Sequence, residues 1–199
     1  MKRVVHIHVP RTAGSSVNVW AMNNIPLYQS MYPLTAKTTF DSSAEWTYLG
    51  HTSPGDLRER GLMDWQWWGD SFRFGFVRNT WARVVSFYER RRNKIFRKEE
   101  RPFVDFAMDI VEGYELLPSQ LHYFRYGVDF VGRYENLKDE WKTLCKLIGM
   151  EYKPMQQHRR CTSRRGEVRD YRSYYASSKL VDAIGSFYAE EIREYGFKF

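Results

Sequence analysis

The 199-residue chain has only two cysteines, Cys145 and Cys161, too few for a disulfide scaffold and in no metal-ligand spacing. Both read as ordinary thiols of a reducing compartment. It has no long hydrophobic run. The best candidate, FVDFAMDIV, carries two aspartates and falls short of the roughly 18 apolar residues that a membrane helix needs, so no transmembrane segment is expected. The start, Met1-Lys2-Arg3 and then VVHIHVP, is basic, but two histidines and Pro10 interrupt its apolar stretch. That pattern excludes a secretory signal and predicts a cytoplasmic protein. A nucleoside-triphosphate loop of the form GxxxxGK[ST] is missing too, since it would need glycine at Val9 and lysine at Ser15. With no aspartate closing the next strands to hold magnesium, ATP or GTP hydrolysis is disfavoured. There is no internal repeat and no low-complexity tract.

What is present argues for a well-packed fold. Hydrophobic residues make up 43% and aromatics 17%, with seven tryptophans, which excludes a disordered chain. The length predicts a single domain spanning residues 1–199. A formal net charge of +7 asks for an anionic partner, but charge alone does not separate nucleic acid from nucleotide, sulfated glycan or membrane surface.

Residues 3–9 are rich in Val and Ile and bounded by proline, which predicts a short buried strand. Gly14-Ser15-Ser16 then leads into VNVWAMNN, a helix opened by a serine cap. Further strands are expected at WTYLGH (46–51), FRFGFV (72–77) and VDFVGRY (128–134). SPGD after the second strand is a turn and helix start. Trp81, Val84, Val85, Tyr88 and Ile95 recur at helical spacing after the third strand, and PFVDFAMDIVEG forms another helix with Pro102 in its first turn. Leu137, Trp141, Leu144 and Ile148 share one face of a helix stopped by Gly149. Residues 156–172 read as a long basic loop, and Leu180, Val181, Ile184, Tyr188, Ile192 and Tyr195 as one closing amphipathic helix. Strands alternating with helices predict an α/β fold: a central parallel sheet flanked by helices, with ligands beyond the carboxyl ends of the strands.

The loop PRTAGSSV joins a strand to a helix amino terminus, where unpaired amides and the helix dipole favour an anion. Gly14 lets the backbone approach closely, Thr12, Ser15 and Ser16 offer hydroxyls, and Arg11 adds a permanent cation. An N-capped helix after a tight turn explains the same residues. Arg78 stands at the end of the third strand and Ser86 two turns into the next helix, in reach of one phosphate or, alternatively, serving only sheet-edge and helix packing.

Together these segments resemble the sulfotransferase superfamily that uses 3′-phosphoadenosine 5′-phosphosulfate (PAPS). HVPRTAGSSV is similar to its 5′-phosphosulfate loop, commonly PK-T-GG-TS, and FGFVRNTWARVVSFYERR to its 3′-phosphate motif, FVR-P--R--S-Y. YLGH (48–51), VGRYENL (131–137) and YRSYYASSKLVDAIGSFYAEEIREYGF extend the likeness along nearly the whole chain. The pattern looks most like the branch of heparan sulfate 2-O-sulfotransferase and other carbohydrate sulfotransferases.

The resemblance implies a P-loop NTPase-like sulfotransferase fold, PAPS as sulfuryl donor, no metal, and a hydroxylated acceptor such as a glycan. Arg11, Thr12, Ala13, Gly14, Ser15, Ser16 and Val17 would cradle the 5′-phosphosulfate, and Arg78 and Ser86 the 3′-phosphate. His51 matches the histidine taken as catalytic base in that branch, and Ser163, Arg164, Arg165 and Gly166 would fold over the nucleotide. Two positions depart from the pattern. Arg11 stands where the family has lysine and, being effectively never deprotonated, can stabilise charge but not donate a proton. Ala13 replaces a frequent second glycine.

His6 and His8 alternate with core residues and read as structural; Trp65, Trp67 and Trp68 suit a core better than a sugar platform. Two rival readings remain at this point. A nucleic-acid-binding module is motivated by YERRRNKIFRKEER and HRRCTSRRGEVRDYR, although no recognised signature accompanies them, and a nucleotide kinase is weakened by the missing lysine.

Overall fold

A computed structural model of the chain describes residues 3–30, 44–62, 64–94, 101–155 and 170–199. These fall into two compact units, Met1–Val77 with Gln120–Arg159, and Arg78–Ser119 with Arg160–Phe199. None of the described helices is long and apolar enough to cross a membrane.

The first unit holds the sheet. Its strands are β1 (Val4–Ile7), β2 (Tyr28–Ser30), β3 (Trp46–Tyr48), β4 (Phe72–Val77) and β5 (Phe130–Arg133), in the order β2-β3-β1-β4-β5. Every pairing is parallel, with Val4 opposite both Trp46 and Phe72, and Phe74 opposite Phe130. The helices are α1 (Gly14–Asn24), α2 (Pro54–Glu59), α3 (Trp65–Asp70) and α6 (Leu137–Leu147). The expected α/β fold is therefore present, a parallel sheet flanked by helices.

Because side chains alternate along a strand, β1 feeds two separate cores. Val4 packs with Phe74 and Phe76 of β4 under Val17, Trp20 and Ala21 of α1 and Trp141 and Leu144 of α6. Val5, Ile7 and Val9 face the other way, onto Leu57 of α2, Trp67 and Trp68 of α3 and Tyr123. Burying each large apolar side chain of these two cores is worth roughly 1.5–3 kcal/mol before chain entropy is counted. From β1 the chain turns towards β2, whereas from β4 it turns towards β5. These neighbours thus send their connections in opposite directions, and that switch point is where open parallel sheets bind ligands.

Several expectations need correction. The sequence predicts four strands, and β2 is a fifth, three residues too short and too polar to show alternation. Ser15 and Ser16 do not cap α1: Ala13 holds the cap position with no side-chain bond, so both serines lie in the first turn. Pro102 likewise precedes its helix as the cap residue. Trp67 and Trp68 are core, which removes them as sugar contacts, while Trp65 is exposed with Arg58 over its ring. The single closing helix is two, α7 (Ser178–Phe187) and α8 (Ala189–Tyr195), broken at Tyr188. The helix start expected at SPGD is present, and it carries a capping box, Ser53 and Asp56 each accepting from the other's amide. Cys145 is a buried free thiol whose pKa is raised by burial, and Cys161 lies outside the described residues.

The second unit is helical: α4 (Thr80–Lys94), α5 (Phe103–Glu112), α7 and α8. Tyr88 packs edge-on to Phe103, and a buried ion pair joins Arg83 of α4 to Glu191 of α8 at 3.4 Å. Glu191 also accepts from the hydroxyls of Thr80 (2.7 Å) and Ser119 (3.0 Å), and Arg83 donates to the Pro118 carbonyl. A fully desolvated pair requires such extra partners.

Candidate active site

The loop after β1 is bent by two non-glycine residues in left-handed conformation, Arg11 and Ala13, both at φ 74°. Each costs of order 1 kcal/mol, and strain of this kind persists where surrounding contacts over-determine it. Here Thr12, buried between them, donates its hydroxyl to the Val9 carbonyl at 2.8 Å and closes the loop on itself. Its side chain therefore serves the loop. Alternating left-handed residues turn successive amides into one concavity, a shape that suits anions.

At the start of α1, Ser16 and Val17 donate their amides to the Ala13 carbonyl at 2.8 and 3.2 Å. That leaves the Gly14 and Ser15 amides as the pair at the positive end of the helix that an anion can take. Ser15 is exposed and Arg11 half-buried. Gly14 is required for a steric reason: a Cβ there would lie 1.7 Å from Cδ2 and 2.0 Å from Nε2 of His8.

His51 is brought to the same edge by the turn after β3, through Gly50 at φ 63°. It is exposed, and its ring lies 4.4 Å from that of His8, centroid to centroid, tilted by 38°. His8 sits inside the cluster. Its Nδ1 and the Tyr48 hydroxyl share a hydrogen bond of 2.5 Å, and it stacks on His6 at 5.8 Å and 24°. Burial holds the His8 pKa well below its ordinary value, with the charges of His51, His6 and Arg11 adding in the same direction. His6, stacked on Phe74 at 4.8 Å, is pushed by burial down to about 3. Both imidazoles are neutral at physiological pH.

The structure thus brings Arg11, Gly14, Ser15 and His51 to one edge of the first unit, with His8 and Tyr48 among them. Sequence reading missed the last two. The available signal was that His6 and His8 share a strand face with the helix that Gly14 begins, whereas core faces are rarely polar. Arg78 and Ser86 belong to the second unit, Arg78 half-buried directly after β4 and Ser86 buried in α4. Ser163, Arg164, Arg165 and Gly166 lie outside the described residues. Among the described residues no group of three or more His, Cys, Asp or Glu is placed to hold a metal ion.

No family model matches the chain. An uncharacterised protein of Archaeoglobus fulgidus is 36% identical over 81 residues, 39% of this chain and 67% of that protein. The crystal structure of mouse sulfotransferase SULT7A1 complexed with PAP matches with a TM-score of 0.60 at 13% identity, over 96% of this chain and 84% of that one. At that identity the likeness is one of fold, and the fold is that of a sulfotransferase. It does not reach the heparan sulfate 2-O-sulfotransferase branch.

Proposed function

We propose that this chain transfers a sulfuryl group from PAPS to an acceptor hydroxyl, with a carbohydrate as the acceptor class and PAP and a sulfate ester as products. The observation that carries this reading is the strained turn at Arg11 and Ala13 leading into a helix start whose Gly14 backbone rests on the His8 ring, which in turn lies 4.4 Å from the ring of the exposed His51. A basic cradle facing a titratable ring suits transfer from an anionic donor to a protic acceptor.

PAPS supplies a sulfuryl group already joined to a good phosphate leaving group. Arg11 and the amides of Thr12 to Ser15 hold the 5′ end and stabilise the negative charge that grows on the bridging oxygen as the S–O bond to phosphate breaks. Ser16 and Val17 support that turn through Ala13. Arg11 acts by charge alone, because guanidinium does not give up its proton. Arg78 and Ser86 take the 3′-phosphate. His51 accepts the proton of the attacking hydroxyl as the new S–O bond forms, a task for which imidazole is the commonest side chain.

In the second unit Arg91 and Arg92 pair with Glu115 and Glu89, which supports an internal role for this part of the basic run over a nucleic-acid surface. Calorimetry against PAP, magnesium-ATP and a short oligonucleotide separates the readings: PAP alone should bind, and Arg78→Ala should abolish it. Radiolabelled sulfate transfer from PAPS to a panel of sugars, lipids and phenols should yield a product that is lost in His51→Ala. Equal rates in that variant remove His51 from the mechanism.

A further inference from the structure

We propose that His8 is a positioning residue that seats the His51 ring and ties it to the loop beginning α1; the reaction it serves rests on the reading above. One side chain touches both loops at the sheet edge. It meets the β1 loop at Gly14, where its ring occupies the space a Cβ would need, and the β3 loop at His51, ring against ring at 4.4 Å. Tyr48, the last residue of β3 and three before His51, fixes the rotation of the His8 ring through the 2.5 Å bond to Nδ1. The stack on His6 holds it from below.

The groups facing His8 are His6 on β1, Tyr48 on β3, His51 beyond β3 and Arg11 beyond β1. Of the three imidazoles in this cluster, His6, His8 and His51, only His51 is exposed and so placed to take up a proton. A neutral aromatic face beside it favours its charged form, whereas a second imidazolium there would repel it. Burial of His8 therefore does more than fill the core. It keeps the surface under the base uncharged while the base works.

The test uses His8→Asn, which removes the ring, and Tyr48→Phe, which keeps the aromatic packing and removes the hydrogen bond to His8. Turnover with PAPS, PAP affinity by calorimetry and the His51 titration by histidine-labelled NMR are read for each. We expect kcat to fall about tenfold in His8→Asn and by less in Tyr48→Phe, with PAP affinity falling less than kcat in each. The His51 midpoint should drop by about half a pH unit in His8→Asn. Loss of PAP affinity with kcat unchanged would assign His8 to the donor loop alone and overturn the proposal, as would an unmoved His51 midpoint in His8→Asn. A parent protein that sulfates no acceptor would sink the transfer reading only, since the titration reports the contact without turnover.

Discussion

The backbone of Gly14 rests directly on the ring of His8, so closely that a Cβ would sit 1.7 Å from its Cδ2. The first residue of α1 and the strand beneath it are thereby locked in one arrangement, and the amides that start the helix inherit that rigidity.

Gly14→Ala should therefore displace the helix start and weaken PAP binding at least tenfold, with a stability loss of about 1–3 kcal/mol from overpacking. Calorimetry and urea unfolding check both. Because the clash is with one side chain, Gly14→Ala combined with His8→Ala should be less destabilised than the sum of the two single changes.

Ala13 is strained where glycine would not be. In Ala13→Gly, relief of about 1 kcal/mol offsets the added freedom of the unfolded chain, about 0.4–1 kcal/mol, so stability should hold or rise slightly. Ala13→Val, branched at Cβ, should lose about 2 kcal/mol and PAP affinity with it. Urea midpoints at constant slope decide between them.

Acid should unfold this protein early. His6 titrates at about 3 when folded against 6.5 for the free side chain, so below pH 6.5 the unfolded chain binds a proton that the folded one refuses. Stability is complete above pH 6.5 and falls by about 1.4 kcal/mol per pH unit down to about pH 3 from this residue alone. His8 adds to the slope in the same direction. His6→Phe should flatten the acid limb of a stability-against-pH profile while leaving the plateau near pH 8 within about 1 kcal/mol, because the ring stack on Phe74 is kept.

In the second unit, Glu191→Leu would leave Arg83 buried without its carboxylate and strand the hydroxyls of Thr80 and Ser119. A loss of about 3–5 kcal/mol is expected on urea unfolding. Replacing both partners, Arg83→Met with Glu191→Leu, should recover most of it.

The alternation of strands and helices was legible because β1, β4 and β5 are bounded by clear breaks and because Ser53-Pro54 announces its helix. β2 was not, having three residues and no apolar side of its own. Tyr188 escaped notice as a break because it keeps the helical spacing of the buried positions while its backbone leaves the helix. At the candidate site, Arg11 and Gly14 could be found from their order alone. Ala13 could not be read as strained, since alanine favours helices and only the backbone torsion betrays it. His8 escaped for a related reason: its value lies in what stands on either side of it, and β3 is some forty positions away in the chain.

The opposed winding of the chain from β1 and from β4 has an evolutionary consequence. A notch at that edge arises from strand order, whichever residues occupy the loops, so the floor of the site and its chemistry can change independently. Loop exchange between proteins of this architecture should then alter what is accepted without rebuilding the scaffold, making the β1 loop, which borders the switch, a natural place to graft new selectivity.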